Sequence, residues 1–285
     1  MKSAIFPPDR VTIFGILNVT PDSFSDGGRL FHGTAGVAVD AVVDLAAALI
    51  EDGAHVLDVG GESTRPGAKE VPVAEEIART APVIEALAKR FDAPISIDTR
   101  KAEVAEAGLS VGARIVNDVS GLRFEPRLAE VVAQADAYLV LGHMRGTPET
   151  MQREPHYEDV LADVIRELGE SLDRARRAGV GAEQIAVDPG IGFGKRLSDN
   201  LALLANAGRL RKRLEVPVLV GPSRKSFLAA LTGDPVDARD CATHAACAVA
   251  VFAGADGVRV HDVAGAARAV IVAEALRAAC KETIS

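Results

Sequence analysis

The chain has 285 residues, and 48% of them are hydrophobic, so it can bury a sizeable core and is not disordered overall. Its formal net charge of -8 excludes the broad cationic face that a general nucleic-acid or membrane-surface binder needs. A local cationic pocket for a small anion is compatible with this charge. We therefore predict small-molecule substrates, no nucleic-acid partner and no membrane partner.

The cysteines and residues 1–10 indicate in which cellular compartment the protein resides. The three cysteines form no CxxC pair and leave one over, which favours a reducing compartment over a disulfide scaffold. Residues 1–10 contain no apolar run typical of a signal peptide, and the small-apolar stretch 245–255 is too short to span a bilayer. We expect a soluble, cytoplasmic protein.

Short apolar runs rich in β-branched residues recur along the chain, as expected of parallel strands that are buried on both faces. In chain order they lie at 11–17, 54–59, 94–98, 113–118, 137–142, 184–188, 217–221 and 256–260. Helical patterns fill the intervals at 35–52, 73–91, 101–110, 125–135, 157–178, 199–214, 239–253 and 264–281. Glycines that suit a helix C-terminus precede several strands, namely Gly53, Gly112, Gly179 and Gly254.

This alternation of eight strands with helices predicts a (β/α)8 TIM barrel. An open doubly wound sheet is the alternative, but such sheets more often have fewer strands and a topological switch point. No linker or change in composition divides the chain. We therefore predict a single domain over residues 1–285, with a core of about 11–281.

Polar residues follow the predicted strands at the end where a TIM barrel carries its chemistry. They are Asn18, Asp58, Asp98, Asn117, Asp118, His143, Asp188, Lys225, Arg259 and His261. Three of them, Asp98, Asn117 and Asp188, are short acceptors or amides that suit the N–H edge of a planar heterocycle. A carboxylate can accept two parallel hydrogen bonds from such an edge, which also fixes orientation.

A second group of strand-end residues is basic. Lys225, Arg259 and His261, with Arg65 as a further candidate, form a cationic half of the predicted rim. Together with Asn18 they suit a phosphate or diphosphate, with or without Mg²⁺. The residues alone therefore predict a site for a polar ring system joined to a phosphorylated group.

Each of these residues has an ordinary structural alternative. Asp98 precedes a predicted helix and could cap it. Arg65 or Lys225 alone could be a solvated loop charge, and His143 or His261 a hydrogen-bonded rim histidine. The convergence of eight strand ends on one rim favours a binding site over these alternatives.

Some familiar motifs are excluded. The segment 190-GIGFGK-195 has Pro189 where a Walker A loop needs its first glycine, and Arg196 where it needs Ser or Thr. Lys225 stands where a nucleophile elbow needs its second glycine. The six histidines are scattered without zinc-ligand spacing.

Seven motifs, in order from about residue 11 to the C-terminus, resemble the dihydropteroate synthase family of pterin-binding (β/α)8 barrels. They are 15-GILNVTPDSFSDGG-28, 60-GGESTRPGA-68, 96-SIDT-99, 117-ND-118, 188-DPGIGFGK-195, 223-SRKSF-227 and 259-RVHDV-263. The resemblance implies a transferase of folate biosynthesis. It would condense 6-hydroxymethyl-7,8-dihydropterin diphosphate with p-aminobenzoate to give 7,8-dihydropteroate and pyrophosphate. It also implies Mg²⁺ as cofactor, inhibition by sulfonamides and a homodimer, for which the alanine-rich final helices are the candidate interface.

The resemblance also implies roles for individual residues. The pterin would contact Asp98, Asn117, Asp188, Lys225, Phe193 and Gly221. The diphosphate would contact Thr64, Arg259, His261 and Asn18, of which Asn18 would also ligate Mg²⁺. The p-aminobenzoate would contact Ser223, Phe24, Pro66, Phe193 and Arg65. The catalytic candidates are Lys225, Arg65 and a loop aspartate that stabilises the cationic carbon, either Asp22 or Asp26.

The loop 18-NVTPDSFSDGGR-29 is polar except for Phe24. It could be an ordinary surface connection, but its place after the first strand favours a mobile lid over the site, with the loop 60–68 closing beside it. Gly27 and Gly28 are candidate hinges. One departure from the family stands at Gly142, where many members carry Met. The missing side chain could leave space under the pterin, or Met144 could fill it.

Two other functions are compatible with parts of this pattern. A methyltetrahydrofolate:corrinoid methyltransferase would use Asp98, Asn117 and Asp188 in a similar way, but it would not need the STRPG and SRK segments. A non-catalytic pterin-binding or assembly protein would have no use for a diphosphate site.

Overall fold

The computed structural model describes residues 4–20 and 37–282. Eight parallel strands are present: β1 (Thr12–Asn18), β2 (Val56–Gly60), β3 (Ile95–Asp98), β4 (Ile115–Asp118), β5 (Tyr138–Gly142), β6 (Ile185–Asp188), β7 (Leu219–Val220) and β8 (Gly257–Val260). They form one sheet in the order β6-β5-β4-β3-β2-β1-β8-β7. A parallel bridge between Val187 and Val218 joins the two ends, so the sheet closes into a barrel. The eight strands and the (β/α)8 barrel are confirmed, and the open sheet is excluded.

The helices pack around the outside of the barrel. They are α1 (Val39–Glu51), α2 (Val73–Arg90), α3 (Ala102–Ser110), α4 (Leu128–Gln134), α5 (Val160–Arg177), α6 (Leu197–Ala205), α7 (Ala207–Leu214), α8 (Ser226–Thr232), α9 (Asp240–Phe252) and α10 (Val263–Glu282). Within the two described ranges, no helix combines the length and the apolar character needed to cross a bilayer.

Two helices differ from the prediction. The helix expected at 199–214 divides at Asn206 into α6 and α7, because the N–H of Gly208 donates to Ala253 O (2.8 Å) at the end of α9. A Cβ on Gly208 would lie 2.5 Å from that oxygen, so only glycine permits the approach. The short helix α8 was not predicted. Its seven residues are too few to establish a helical period against the neighbouring loop.

The predicted helix-ending glycines have the left-handed conformation that favours glycine. Gly53, Gly112, Gly179 and Gly254 have φ values of 107°, 123°, 98° and 109°. Each ends a helix and turns the chain directly into the next strand. This short connection keeps consecutive strands adjacent in the barrel.

The core has two layers. Most buried apolar side chains lie between the strands and the surrounding helices. A smaller cluster fills the barrel interior, with Phe14 of β1 stacked on Phe6 at 5.7 Å between ring centroids. The N-terminal segment covers this end, where Thr12 Oγ1 donates to Ile5 O (2.7 Å). Packing of one end in this way leaves the other end, at the carboxyl ends of the strands, available for a site. The single-domain boundary over residues 1–285 stays a prediction.

Strand register brings the polar ends to one level. Asn18 of β1 pairs with Gly60 of β2, Gly60 with Asp98 of β3, and Asp98 with Asn117 of β4. On the far side Gly142 of β5 pairs with Asp188 of β6. The strand-end residues predicted from sequence therefore surround one opening.

Candidate active site

A cavity of about 410 Å³ lies at the carboxyl ends of the strands. Every predicted site residue within the described ranges lines it: Asn18, Thr64, Arg65, Pro66, Asp98, Asn117, Asp188, Phe193, Gly221, Ser223, Lys225, Arg259 and His261. Residues that had no predicted role line it too, among them Glu62, Ser63, Val119, Met151, Arg224, Ser226, Val236 and Arg239. The predicted residues Asp22, Phe24 and Asp26, and the hinge candidates Gly27 and Gly28, lie outside the described residues.

The inner end of the cavity is organised around Arg259. Its Nε donates to Asp58 Oδ2 (2.5 Å) and its terminal nitrogen donates to Asp98 Oδ2 (2.7 Å). Asn117 Nδ2 also donates to Asp58 Oδ2, at 3.3 Å. Arg259 is therefore held by two carboxylates of neighbouring strands, on the side predicted for the ring. Its predicted contact with a diphosphate stays a prediction.

The sequence places Asp58 on the second strand but predicts no ligand contact for it. It is fully buried, and its Oδ1 has no hydrogen-bond partner among the described residues. Its position within an apolar run was the sequence signal for a buried ion pair, because a charged residue is rarely buried without a partner. Asp58 does not line the cavity, but its hydrogen bonds hold the Arg259 and Asn117 side chains that do.

Asp98 does not cap the helix that follows it. The helix α3 has Lys101 at its N-cap position with no side-chain cap, and its Ala102 N–H donates to Glu125 Oε2 (2.8 Å). The Asp98 carboxylate instead faces Arg259. Burial raises the pKa of Asp98 to about 7, and Asp58 adds to the shift while Arg259 opposes it.

Asp188 and Lys225 form the opposite side of the inner end. Asp188 Oδ1 accepts the N–H of Gly190 (2.7 Å), and burial raises the pKa of Asp188. Lys225 Nζ donates to Ile191 O and lies 4.1 Å from the centre of the Phe193 ring. Burial lowers the pKa of Lys225 to about 8, although Asp188 opposes the shift. An aromatic face, a cation and a carboxylate thus converge where Gly221 has no side chain to fill the space.

The loop from Gly190 to Lys195 holds Phe193 by its backbone. Gly190 has a φ of 70°, and a Cβ there would lie 1.8 Å from His143 O, so no other residue fits. Lys195 Nζ donates to His143 Nδ1 (3.0 Å) and to Phe193 O (3.0 Å). His143 Nε2 in turn meets Glu167 Oε2 at 3.0 Å. His143 is therefore the structural rim histidine that was weighed as the alternative, and it does not line the cavity.

His261 differs from its predicted character. Ser223 Oγ lies 2.9 Å from His261 Nδ1, and Asn18 Nδ2 lies 3.5 Å from His261 Nε2. Burial, together with the nearby charges of Arg224 and Arg259, lowers the pKa of His261 to about 3. A pKa this low favours a neutral imidazole at pH 7, in contrast to the cationic character that the sequence predicts for His261. The cationic side chains that line the cavity are Lys225 and Arg259 at the inner end and the arginines of the outer loops, among them Arg65.

The outer wall of the cavity is made of loops. Thr64 is half-buried, while Arg65 and Pro66 are exposed. Opposite them, Arg224 has a left-handed φ of 55°, which its contacts with α9 maintain. Arg224 Nε and its terminal nitrogen donate to the two carboxylate oxygens of Asp240, both at 2.8 Å. This ion pair fixes the turn that carries Ser223 and Lys225.

The departure at Gly142 has a structural reason. A Cβ on this residue would lie 2.5 to 2.7 Å from the backbone of Val119, because the ends of β4 and β5 approach closely. Met144 is buried and does not line the described cavity, whereas Met151 does. Filling of the space by Met144 therefore gains no support from the described residues, and Met151 is a methionine that lines the cavity.

The protein side chains alone do not form a metal cage. Among the described residues, no three His, Cys, Asp or Glu side chains are grouped so that they could hold a metal ion. The Asn18 carboxamide oxygen lies next to Gly60, which has no side chain to cover it. Mg²⁺ commonly takes one or two protein oxygens and completes its shell with substrate phosphates and water. A single uncovered amide oxygen at an anion-binding mouth fits that pattern.

The cavity of this barrel has two parts: a buried inner end with Asp98, Asn117, Asp188, Lys225 and Arg259, and a mouth formed by loops. Residues 14–261 match the family described as "Pterin binding enzyme", which places the chain in that class. A relative from Synechocystis named "Dihydropteroate synthase" is 47% identical over 268 residues, covering 94% of this chain and 90% of the relative.

Solved structures agree in fold and sequence. The dihydropteroate synthase of Yersinia pestis, solved with a sulfonamide drug complex, has a TM-score of 0.88 and 41% identity, covering 94% of this chain and 95% of that one. The enzyme of Xanthomonas albilineans, solved with 4-aminobenzoic acid, has a TM-score of 0.85 and 45% identity, covering 95% and 94%. The chain belongs to the dihydropteroate synthase family.

Proposed function

We propose that this chain condenses 6-hydroxymethyl-7,8-dihydropterin diphosphate with p-aminobenzoate, giving 7,8-dihydropteroate and pyrophosphate. The observation that carries the proposal is the convergence of Asp98, Asn117 and Asp188 with Lys225 at the buried end of one cavity. Acceptors so placed match the amino and N–H edge of a pterin. The family membership and the 4-aminobenzoic acid bound by the Xanthomonas relative support the choice of substrates.

Pterin binding would use groups that are already fixed. Asp188 is held by the Gly190 N–H and Asp98 by Arg259, so neither carboxylate needs to reorganise on binding. The Phe193 ring and the Lys225 ammonium would cover one face of the ring. Such preorganised donors and acceptors lower the cost of binding and orient the reacting carbon towards the mouth.

The reaction breaks the bond between the pterin methylene carbon and the diphosphate oxygen, and it forms a bond to the amine nitrogen of p-aminobenzoate. The electron-rich pterin stabilises positive charge on that carbon, so the protein mainly needs to bind the departing pyrophosphate and exclude water. Thr64, Arg65 and His261 would contact the diphosphate. The aniline amine is neutral at pH 7, so no covalent nucleophile and no strong base are required.

We also propose Mg²⁺ as cofactor, with Asn18 as its protein ligand. When bound, it would supply positive charge that neutralises the diphosphate. The loop aspartates Asp22 and Asp26 remain candidates to stabilise the cationic carbon, and Phe24 to contact p-aminobenzoate. We propose an ordered mechanism in which the pterin diphosphate binds before p-aminobenzoate.

The direct test is an assay of pyrophosphate release and product formation with purified protein, pterin diphosphate and Mg²⁺, with and without p-aminobenzoate. We expect 7,8-dihydropteroate only when p-aminobenzoate is present, and we expect a sulfonamide to suppress it. Absence of p-aminobenzoate-dependent product would refute the proposed function. Methyl transfer from methyltetrahydrofolate would support the methyltransferase alternative instead.

For the assembly, we propose a homodimer through α9 and α10. These helices pack against each other and expose large apolar side chains at Val249, Phe252, Ile271, Val272 and Leu276. A contiguous exposed apolar face of this kind is typical of a protein interface. Sedimentation should show a dimer that Ile271→Glu converts to monomer, whereas Leu231→Glu on α8, at an equally exposed leucine, should have no effect. A monomeric wild type would refute the proposal.

We propose a cytoplasmic location, which the cysteines support. All three are free thiols in the structure, with Cys241 and Cys280 exposed and Cys247 buried. Exposed thiols without partners persist most readily in a reducing compartment.

A further inference from the structure

The β2–α2 loop carries three of the predicted outer-wall residues, Thr64, Arg65 and Pro66. Its two ends meet at a buried group of charged side chains, which we name the loop clasp. The loop clasp consists of Glu62, Glu76, Arg100 and Lys101.

Lys101 is the centre of the loop clasp. Its Nζ donates to Glu62 Oε2 (2.7 Å), to Glu76 Oε2 (2.7 Å) and to Val71 O (2.5 Å). These three bonds use all three hydrogens of an ammonium group. Only 3% of the side chain is exposed. Burial alone would lower the pKa of Lys101, but the bonds and charges of Glu62 and Glu76 outweigh it and raise the pKa. Lys101 is therefore a buried cation.

Glu62 joins the other end of the loop to the same cation. Its Oε2 accepts the N–H of Val71 (2.7 Å), and its Oε1 accepts from Arg100 Nε (3.0 Å). Both backbone groups of Val71 are thus bound to the loop clasp, one by Glu62 and one by Lys101. Residues 63–70 form a closed loop whose ends cannot separate without breaking buried ionic hydrogen bonds.

The base of the loop is fixed on several sides. Arg79 on α2 donates to Gly61 O (2.8 Å), and a Cβ on Gly61 would lie 2.7 Å from Thr80 Cγ2. The Arg100 guanidinium stacks on Phe124 at 4.0 Å from the ring centre. At the tip, by contrast, Arg65 and Pro66 are exposed, and Gly67 N–H donates to Pro148 O of another loop at 3.0 Å. The loop therefore has a rigid base and an accessible tip.

We propose that Lys101 is a positioning residue for the condensation reaction. Together with Glu62 it clamps the base of the loop, so that Arg65 and Pro66 reach p-aminobenzoate, and Thr64 the diphosphate, as one preset unit. The inference rests on the proposed function and on the p-aminobenzoate contacts that the family resemblance implies for Arg65 and Pro66. Lys101 itself does not line the described cavity and acts through the loop.

The test compares Lys101→Met with wild type. We expect the KM for p-aminobenzoate to rise about tenfold, because a misplaced contact weakens productive binding. The affinity for 6-hydroxymethylpterin, which occupies only the inner end, should stay within about twofold, since distant sites act independently. Amide hydrogen exchange should accelerate in residues 62–71. The matched control is Lys89→Met, which breaks the exposed Lys89–Glu85 pair (2.6 Å) and should change none of the three readouts.

Lys101→Met leaves two buried carboxylates with one fewer cation and could fail to fold. The double variant Lys101→Met/Glu76→Gln keeps the charge balance and should show the same KM and exchange changes in a folded protein. Lys101→Arg, which restores the cation, should recover part of the p-aminobenzoate KM. These outcomes would separate positioning from general stability.

Unchanged KM and unchanged exchange in the folded variants would overturn the inference. So would an equal loss of affinity for 6-hydroxymethylpterin and p-aminobenzoate, which would mark Lys101 as a general structural residue. A wild type without synthase activity would refute the proposed function alone. The exchange comparison needs no turnover and would still decide whether Lys101 clamps the loop.

Discussion

The two ends of the cavity are built differently. At the inner end, Asp58, Asp98 and Asn117 sit on barrel strands, and their positions follow from the strand register. At the outer wall, Arg65 and Pro66 sit on a loop and are exposed. The inner end is therefore part of the folded core, whereas the outer wall is attached to it. Changes at the inner end should affect both stability and pterin binding, whereas changes at the outer wall should affect binding of p-aminobenzoate and of the diphosphate with little effect on stability.

The largest expected effect is the loss of stability when the ion pairs at the inner end are broken. Arg259→Met removes the partner of Asp58, which is fully buried, and should cost about 3–5 kcal/mol of unfolding free energy, as for an uncompensated buried charge. Arg65→Met at the outer wall is the matched control and should change stability by less than about 0.5 kcal/mol. Urea unfolding of both variants measures the difference, and equal stabilities would contradict the contrast between the two ends.

Asp188→Ala tests ring recognition. Two buried N–H donors of the pterin would each lose an acceptor, at about 1–3 kcal/mol apiece, so affinity should fall by at least about 30-fold. Calorimetry with 6-hydroxymethylpterin measures this. Asp173→Ala, at an exposed position on α5, should bind like wild type. An unchanged affinity in Asp188→Ala would remove this residue from the ring site.

The pH dependence probes the same end. The pKa of Asp98 is raised to about 7, so its ability to accept from the ring is lost as the pH falls through that value. The pKa of Lys225 is lowered to about 8, so its charge is lost as the pH rises through that value. Turnover at low pterin diphosphate should peak between about 7 and 8 and fall about tenfold per unit on the acid side. Asp98→Asn should flatten the acid limb. A wild-type profile flat down to pH 6 would show that Asp98 is ionised throughout.

The smallest expected effect is a change in the KM for the second substrate, p-aminobenzoate. Phe24→Ala removes the aromatic contact predicted for p-aminobenzoate and should raise its KM about fivefold, as expected for loss of one aromatic contact. Binding of the pterin diphosphate, measured by calorimetry, should be spared. Equal losses for both substrates would make Phe24 a core residue rather than a lid contact.

Much of the fold was predictable from the sequence. Parallel strands that are buried on both faces produce near-continuous apolar runs, and the polar residues at their ends converge on one rim. The eight strands, the barrel and the helix-ending glycines such as Gly53 are all visible in this way. The short helix α8 is too brief to show a period. The division at Asn206 depends on a contact between Gly208 and Ala253, which lie far apart in sequence.

The sequence predicted which residues line the site but not their charge states. Sequence motifs located Asp98 and His261, but their charge states depend on burial and on neighbours from other strands. His261 is neutral because it is buried beside Arg224 and Arg259, which no local pattern reveals. The sequence assigned no role to Asp58 or Lys101 because their charged partners come from distant segments. Long-range pairing of buried charges is the information that the sequence alone did not provide.

The central claim is that the inner end binds the pterin and the outer wall binds p-aminobenzoate. A crystal structure with a pterin and p-aminobenzoate bound together tests it most directly. The account predicts that the amino edge of the pterin lies within hydrogen-bond distance of Asp188, with p-aminobenzoate between the 60–68 loop and Ser223. A pterin at the outer wall, or p-aminobenzoate against Asp98 and Asn117, would contradict the account.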